Sequence, residues 1–308
     1  MAAAQYIRAR VPASTANLGP GFDSLGLALN LATTITVEPA AETRITITGE
    51  NAGQLSCGVD NLVYRRMEQL AMLHGLALPP IHLQITNGIP LERGLGASSA
   101  ASLGGLLTAN VLLELGLDQA QILDLACQFE GHPDNVAPSL LGGCIVSVVA
   151  DGHVTALHVP FPDDLVCVVC IPDIRMPTDA SRQMIPQSYS RADAIFNLSR
   201  AALLVTALST RQYGALRLAV QDRLHQPYRA AMLPALMPII DAAQAAGAYG
   251  AFLSGAGSTI AAFAAQPTAA AVAQAMAEAG ARHGLICRTL MTQVDQTGAV
   301  VDYGPNDG

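Results

Sequence analysis

The chain has 308 residues, a formal net charge of −8, and 16 basic residues that are all arginine. The acidic balance, the lack of a basic run, the absence of Trp and an aromatic content of 4% argue against a nucleic-acid surface. Charged residues make up only 13% and apolar ones 51%, so much of the chain must be buried or packed at an interface, which is compatible with a homodimer.

In chain order, Arg8 and Arg10 are not followed by an apolar h-region, so no secretory leader is expected. Val11 to Leu29 (VPASTANLGPGFDSLGLAL) is rich in turn formers and reads as a loop; Asn17 and Asp23 are its only amide and its only carboxylate. Such a loop could hold a polar small molecule, although capping of local turns is the commoner role for isolated Asn and Asp. Thr33 to Glu38 and Arg44 to Gly49 alternate in hydrophobicity, and the Pro39 to Glu42 connection predicts a hairpin between them. Asn61 to His74 reads as a helix, and Ile81 to Asn87 as a half-buried strand.

The next segment is the most informative. Pro90 to Ser102 (PLERGLGASSAAS) lies between that strand and a helical repeat of Leu103, Leu106, Leu107 and Val111. Gly94 and Gly96 permit a tight bend and close approach to a ligand. A helix starting near Ser98 would aim free N–H groups and its positive end into the loop, which suits a phosphate. A Walker A loop and a protein-kinase site both need a lysine, so neither fits this chain. A nucleotide held here would rely on backbone amides, hydroxyls and a metal ion.

Asp118 to Phe129 reads as a helix with Asp118 as N-cap and Gly131 as its stop. Glu130 to Gly143 (EGHPDNVAPSLLGG) then packs Glu, His, Asp and Asn into six residues. A glutamate just past a helix could complete a Mg²⁺ shell, and a solvated loop with Asx-turns is an even alternative. Gly143 to Ala150 and Val154 to Val159 read as strands around the turn signal Asp151-Gly152. Pro160 to Asp164 is the best domain boundary, giving units of 1–160 and 161–308.

The second unit opens with the strand Leu165 to Ile171. Cys167 and Cys170 form a CxxC pattern within it, but residues three apart on a strand face opposite ways, so two core cysteines are expected rather than a redox or zinc pair. The six scattered cysteines fit a reducing cytoplasm. Helices are expected over Ala192 to Ser209, Tyr213 to Gln221, Leu236 to Ala246 and Ala269 to Ala281, with Ala251 to Ile260 as a strand containing a second glycine turn. Glycines and serines interrupt even the most apolar window, Gly247 to Ala265, so no membrane-spanning segment is expected. Pro177 to Arg182 and His225 to Arg229 each place an arginine in a proline-interrupted loop, where a guanidinium fork could meet a carboxylate; alone, either would more often be a surface arginine. Gly304 to Gly308 is expected to be disordered. Mixed strands and helices with a hairpin point to an α+β fold.

Four of these segments carry a resemblance. Pro12 to Leu29, Pro90 to Ser102, Glu130 to Gly143 and the glycine motif Ser254 to Thr259 (SGAGST), with the two arginine loops, make the chain similar to the homoserine kinases of the GHMP small-molecule kinase superfamily. The first segment is specific to that family; the second is shared by the superfamily. The resemblance spans essentially the whole chain.

It implies an N-terminal domain like domain 2 of ribosomal protein S5, a ferredoxin-like C-terminal domain, and ATP lying over the glycine loop between them. It implies transfer of the γ-phosphoryl of ATP to the side-chain hydroxyl of L-homoserine, a step toward threonine. By resemblance, Pro90, Arg93, Gly94, Leu95, Gly96, Ala97, Ser98, Ser99 and Ala100 form the nucleotide loop, and Asn61 and Val63 lie near the adenine. Ser98 and Glu130 match the Mg²⁺ site. Asn17, Asp23 and His132 match contacts to the amino acid, Thr178 lies with them, and Arg182 and Arg229 match the clamp on its α-carboxylate. Asn135 stands where mevalonate-type relatives carry an aspartate proposed as base, and Asp23 remains a candidate proton acceptor.

Two departures stand out. Ala97 replaces the serine of many members, and the Glu130-to-His132 connection is shorter than in many. Another GHMP kinase acting on mevalonate, a diphosphocytidyl methylerythritol or shikimate is the nearest rival, and a nucleotide sensor that does no chemistry is a rival of a different class. The Pro12 to Leu29 segment speaks against the first, and the presence of both Ser98 and Glu130 against the second.

Overall fold

A computed structural model describes residues 6–304. The first half of the chain runs β1 (Tyr6–Ala16), β2 (Leu25–Pro39), β3 (Arg44–Gly49), α1 (Leu62–Leu73), β4 (Ile81–Asn87), α2 (Ala97–Leu112), α3 (Gln119–Glu130), α4 (Val136–Leu141), β5 (Cys144–Ala150) and β6 (His153–Val159). The second half runs β7 (Leu165–Pro172), α5 (Thr178–Gln183), α6 (Arg191–Ser209), α7 (Leu216–Ala219), α8 (Gln226–Arg229), α9 (Leu236–Ala245), β8 (Gly250–Leu253), β9 (Ile260–Ala265), α10 (Gln266–Arg282), β10 (Cys287–Thr292) and β11 (Val300–Gly304). This is a two-domain α+β fold built on two sheets.

The larger sheet has the order β11-β1-β2-β4-β3, and β5 and β6 extend it from the far end of β2. Strand β2 is 15 residues long, so its C-terminal part pairs with β4 while its N-terminal part, Leu25 to Leu27, pairs with β5. The apolar faces of α1, α2 and α3 close one side, with Leu103 and Leu106 of α2 fully buried against the strand residues Val11 and Ile35. Local chemistry sets the helix ends. Asn61 caps α1 by accepting from the N–H groups of Val63 and Tyr64, and Asp118 with Gln121 forms a capping box on α3, which Gly131 terminates in the left-handed region.

The smaller sheet is antiparallel in the order β10-β7-β9-β8. Taken in chain order those strands are the first (β7), second (β8), third (β9) and fourth (β10), so the arrangement is the 4-1-3-2 order of a ferredoxin-like domain. Every residue of β7 is buried, and its two faces feed two different cores: Cys167 lies in the core of the larger domain and Cys170 in that behind α9 and α10. The cysteine pair of the CxxC pattern is therefore split by the sheet.

Several expectations need correction. Strands β2 and β3 form no hairpin, because β4 lies between them, antiparallel to β2 and parallel to β3. The alternating Ile81, Leu83 and Ile85 give β4 the buried face that earns it the inner place. Val11 to Leu29 is mostly strand; only residues 17–24 turn, and Asn17, Leu18, Gly19 and Asp23 all take positive φ there. Tyr213 to Gln221 is a 3₁₀ turn followed by the four-residue α7. Ala251 to Ile260 is two strands joined by the glycine turn. Although β11 follows residue 160, it pairs with β1 in the first sheet. Gly304 ends that strand, and residues 305–308, the rest of the expected disordered tail, lie outside the described residues. Among the described residues α6 alone is long and apolar enough to cross a membrane; it carries Asp193 and Arg200 and packs Leu204, Ala207 and Leu208 into the core.

Candidate active site

The glycine loop is held from both sides. The Ser14 N–H donates to Leu95 O and the Thr259 N–H to Arg93 O, both at 3.1 Å. The Ser254 hydroxyl lies 2.6 Å from Gly94 O and 2.7 Å from Thr15 Oγ1. Gly94 and Gly96 both sit at φ 71°, and a Cβ on Gly94 would meet Ser254 O at 2.1 Å, while one on Gly96 would meet Ser14 Oγ at 2.2 Å. The loop thus needs glycine twice, for the backbone region and for the space. Gly96 is the N-cap of α2, so the helix presents its first N–H groups to the cleft without any side-chain cap.

Ser98, on the first turn of α2, is exposed and donates its hydroxyl to Glu130 Oε2 at 2.8 Å. Ser102 donates to the other carboxylate oxygen at 2.7 Å, and Arg66 pairs with it at 3.3 Å while its guanidinium lies over the Phe129 ring. The Glu130 carboxylate is therefore fixed in place at the C-terminus of α3, with one oxygen turned to Ser98 beside the glycine loop.

Across the cleft, Asp23 and Arg182 form a two-bond pair of 2.6 and 3.0 Å. His132 Nδ1 lies 2.6 Å from Asp134 Oδ1. Burial disfavours the charged imidazole, but the Asp134 hydrogen bond and charge outweigh it and raise the His132 pKa. Asn17 donates to Gly255 O and accepts from the Asp23 N–H; Asn135 accepts from Ser14 Oγ at 3.0 Å. Asp23, His132 and Asp134 bring ligand-type atoms within 4.8 Å of one another, but Asp23 is already paired with Arg182 and Asp134 with the His132 ring.

Arg229 is the unusual group. It is 2% exposed, donates to Gly255 O at 2.9 Å, and has no carboxylate partner among the described residues; its Nε is buried without any partner. Burial, followed by the nearby Arg182 charge, lowers its pKa to about 10, which still leaves it cationic at neutral pH. A buried guanidinium that opens on a cleft without a carboxylate in ion-pair contact calls for an anion.

These groups line one cleft of about 430 Å³. It contains Asn17, Asp23, Pro90, Arg93 to Ser99, Glu130, His132, Asn135, Thr178, Arg182 and Arg229. A second cavity of about 310 Å³ adjoins it through Glu92, Ala97 and Ser98 and is lined by Leu55, Asn61, Leu62, Val63, Ile85 and Leu91 among others. Asn61 reaches it, yet its side chain is committed to capping α1 and to Ser56 O. Ala100 faces neither cavity and is buried in the core. Sequence reasoning gave no individual role to Phe22, Asp134, Gly255 and Ala256 of the main cleft, or to Leu55, Ile85 and Arg175 of the second cavity. The first four lie in segments the sequence singled out, Phe22 in Pro12 to Leu29, Asp134 in the polar run after Glu130, and Gly255 and Ala256 in the Ser254 to Thr259 glycine motif; the other three carried no signal.

Residues 61–143 match the family described as GHMP kinases N terminal domain, and residues 204–282 that described as GHMP kinases C terminal. A homoserine kinase of Desulfitobacterium hafniense is 43% identical over 295 residues, covering 96% of this chain and 99% of that protein. The chain belongs to the homoserine kinase family of the GHMP kinases. A homoserine kinase of Thermosynechococcus vestitus is 40% identical over 292 residues, covering 94% of this chain and 97% of its own. The crystal structure of homoserine kinase from Cytophaga hutchinsonii has a TM-score of 0.87 at 26% identity, over 98% of this chain and 99% of that one. That of L. major mevalonate kinase with R-mevalonate has a TM-score of 0.69 at 15% identity, over 94% and 96%, and shows the shared fold alone. This member of the homoserine kinase family has Ala97 at the loop position next to Gly96, so the glycine loop there offers an N–H and a methyl group and no hydroxyl.

Proposed function

We propose that the protein is an ATP-dependent homoserine kinase of the cytoplasm, which phosphorylates the side-chain hydroxyl of L-homoserine. The observation that carries this reading is the buried, anion-less Arg229 opposite Asp23 and Arg182, in a cleft that ends at the glycine loop. A small zwitterion with a hydroxyl at its far end fits that order of charges: guanidinium groups for its carboxylate, Asp23 for its ammonium, and the phosphate cradle beyond. The nucleotide's triphosphate is assigned to the N–H groups of the loop and the start of α2, and its base to the apolar second cavity with Asn61 and Val63 in its wall.

The hydroxyl of Ser98 and the carboxylate of Glu130 are hard oxygen donors beside that cradle, a set that fits Mg²⁺. When bound, the ion would neutralise charge on the triphosphate. The remaining work is positioning. Asn17 and Asn135 are fixed by Gly255 and Ser14 and hold the acceptor side of the cleft, while His132 adds a donor beside Asp23. The acceptor oxygen attacks the γ-phosphorus as the bond to the ADP oxygen breaks, and the hydroxyl proton is lost to phosphate oxygen or water. Asn135 has no basic lone pair and Asp23 is assigned to the substrate ammonium, so we assign neither as a strong base; a loose transition state can be reached by alignment and charge neutralisation.

ADP release from Mg·ATP, measured with L-homoserine, mevalonate, shikimate and no acceptor, tests the reading. Turnover with L-homoserine alone supports it. Turnover with another acceptor overturns the assignment of the arginine pair, and nucleotide binding with no turnover would favour a sensor.

A further inference from the structure

His225 is fully buried at the start of α8, four residues before Arg229. Its Nε2 lies 2.7 Å from Gly19 O. A carbonyl oxygen can only accept, so Nε2 carries the proton. Its Nδ1 lies 3.1 Å from Arg229 Nη1, and a guanidinium can only donate, so Nδ1 must present its lone pair. The two partners select one neutral tautomer and leave no place for a second proton. The ring also stacks on Phe22 at 5.3 Å, and the Arg229 guanidinium lies 5.6 Å from the centre of that same ring.

We infer that His225 is a positioning residue for substrate recognition: its neutral imidazole ties the Arg229 fork to the turn that carries Asn17 and Asp23, and so sets the spacing between the two ends of the amino-acid cleft. The inference rests on the homoserine reading of that cleft. Gly19 and Phe22 belong to the turn between β1 and β2, whereas Arg229 belongs to the other half of the chain, so one ring joins the two sides. Of Arg229's donors, Nη1 is shared between His225 and Gly255 O, which fixes the plane of the guanidinium. The unpartnered Nε shows that this plane is not set by satisfying every donor within the protein.

The charged groups facing the ring are Asp222, whose Oδ2 lies 3.6 Å from Nε2, Arg229 on its own helix, and Asp23 from the turn. Burial is the largest influence and opposes protonation, Asp222 favours it, Arg229 opposes it, and the net direction is downward. A second proton would set an N–H against the Arg229 N–H and release the fork. His132, which also titrates in this cleft, is shifted the opposite way, so the two histidines act at different pH.

The test is steady-state kinetics of the full-length wild-type, His225→Phe and His225→Asn enzymes across pH, with thermal unfolding alongside. His225→Phe keeps the ring and removes both hydrogen bonds; it should raise KM for L-homoserine about tenfold to a hundredfold, with KM for ATP and kcat nearly unchanged. His225→Asn offers an amide oxygen near the position of Nδ1; it should recover part of that loss. It should also abolish the rise in homoserine KM that the wild type shows at acid pH, below the range where His132 titrates. Equal rises in both KM values, an unchanged homoserine KM in both variants, or the same acid limb in wild type and His225→Asn would overturn the inference. If only His225→Phe fails to fold, the pH profile of His225→Asn decides; if both fail, a homoserine KM in the wild type that is flat at acid pH overturns the inference and one that rises supports it. A wild-type enzyme that does not use L-homoserine would instead overturn the functional reading itself.

Discussion

Asp23 and Arg182, 159 positions apart in the chain, face each other across the cleft in a two-bond ion pair with their side chains 35% exposed. The aspartate comes from the turn between β1 and β2, and the arginine from α5. A carboxylate of the protein thus sits in the fork assigned to the carboxylate of the substrate. Binding of a zwitterion would exchange one pair for two, its carboxylate taking the fork and its ammonium taking Asp23.

That exchange makes a paired prediction for Asp23→Asn. The variant should bind L-homoserine about tenfold more weakly, because a charged partner for the ammonium is lost. It should bind 4-hydroxybutanoate, which has no ammonium, more tightly than the wild type does, because the fork is free. At saturating L-homoserine, kcat should stay within a few-fold. A loss of kcat by about three orders of magnitude with unchanged KM would instead make Asp23 the proton acceptor.

Ser98 and Glu130 are predicted to act together. Glu130→Gln should lower kcat by about a hundredfold or more, and the loss should shrink as Mg²⁺ is raised. Ser98→Ala should show the same dependence more weakly. Because Arg66, Ser98 and Ser102 all hold the Glu130 carboxylate, the comparison needs a folding control by thermal unfolding. A kcat insensitive to either change at limiting Mg²⁺ would remove both residues from the metal site.

The Asp134 hydrogen bond raises the His132 pKa against the opposing effect of burial. A group whose folded-state pKa is raised contributes stability that is fully present below its unfolded value, about 6.5, and is lost as pH rises through the folded value. The difference in melting temperature between wild type and His132→Gln should therefore be largest below about pH 6.5 and narrow as pH rises through the raised folded value. A gap that widens with rising pH would contradict the sign.

Gly94→Ala should lower the unfolding free energy by about 2 kcal/mol or more and raise KM for ATP, since the new Cβ meets the Ser254 backbone oxygen at 2.1 Å in a left-handed backbone. Differential scanning calorimetry and ATP kinetics read both effects. A variant with unchanged melting temperature and ATP kinetics would show that the loop is not held as tightly as its contacts indicate.

Elements with a local cause could be read from the sequence. Asp118 and Gly131 bracket α3 as expected, and Asp151 and Gly152 both take the positive φ of the predicted hairpin turn. What failed depended on partners distant in sequence. Nothing in Arg44 to Gly49 announces that β4 will separate it from β2, and the composition of Pro12 to Ala16 resembles a loop although Ser14 and Thr15 are buried in a strand. In the site, the resemblance grouped the expected segments, but the contacts between them were not legible. The burial of Arg229, the Asp23–Arg182 pair and the tautomer of His225 arise only when the turn of residues 17–24 docks on α8 and on the glycine turn after β8.

The most direct test of the account is kcat/KM for three acceptors with Mg·ATP: L-homoserine, 4-hydroxybutanoate, which lacks the ammonium, and 3-amino-1-propanol, which lacks the carboxylate. The account predicts that L-homoserine exceeds both by about a hundredfold or more, with the greater loss for 3-amino-1-propanol, because it leaves the buried Arg229 without an anion. Comparable turnover of 3-amino-1-propanol and L-homoserine would contradict the account, since the arginine pair would then not read a carboxylate.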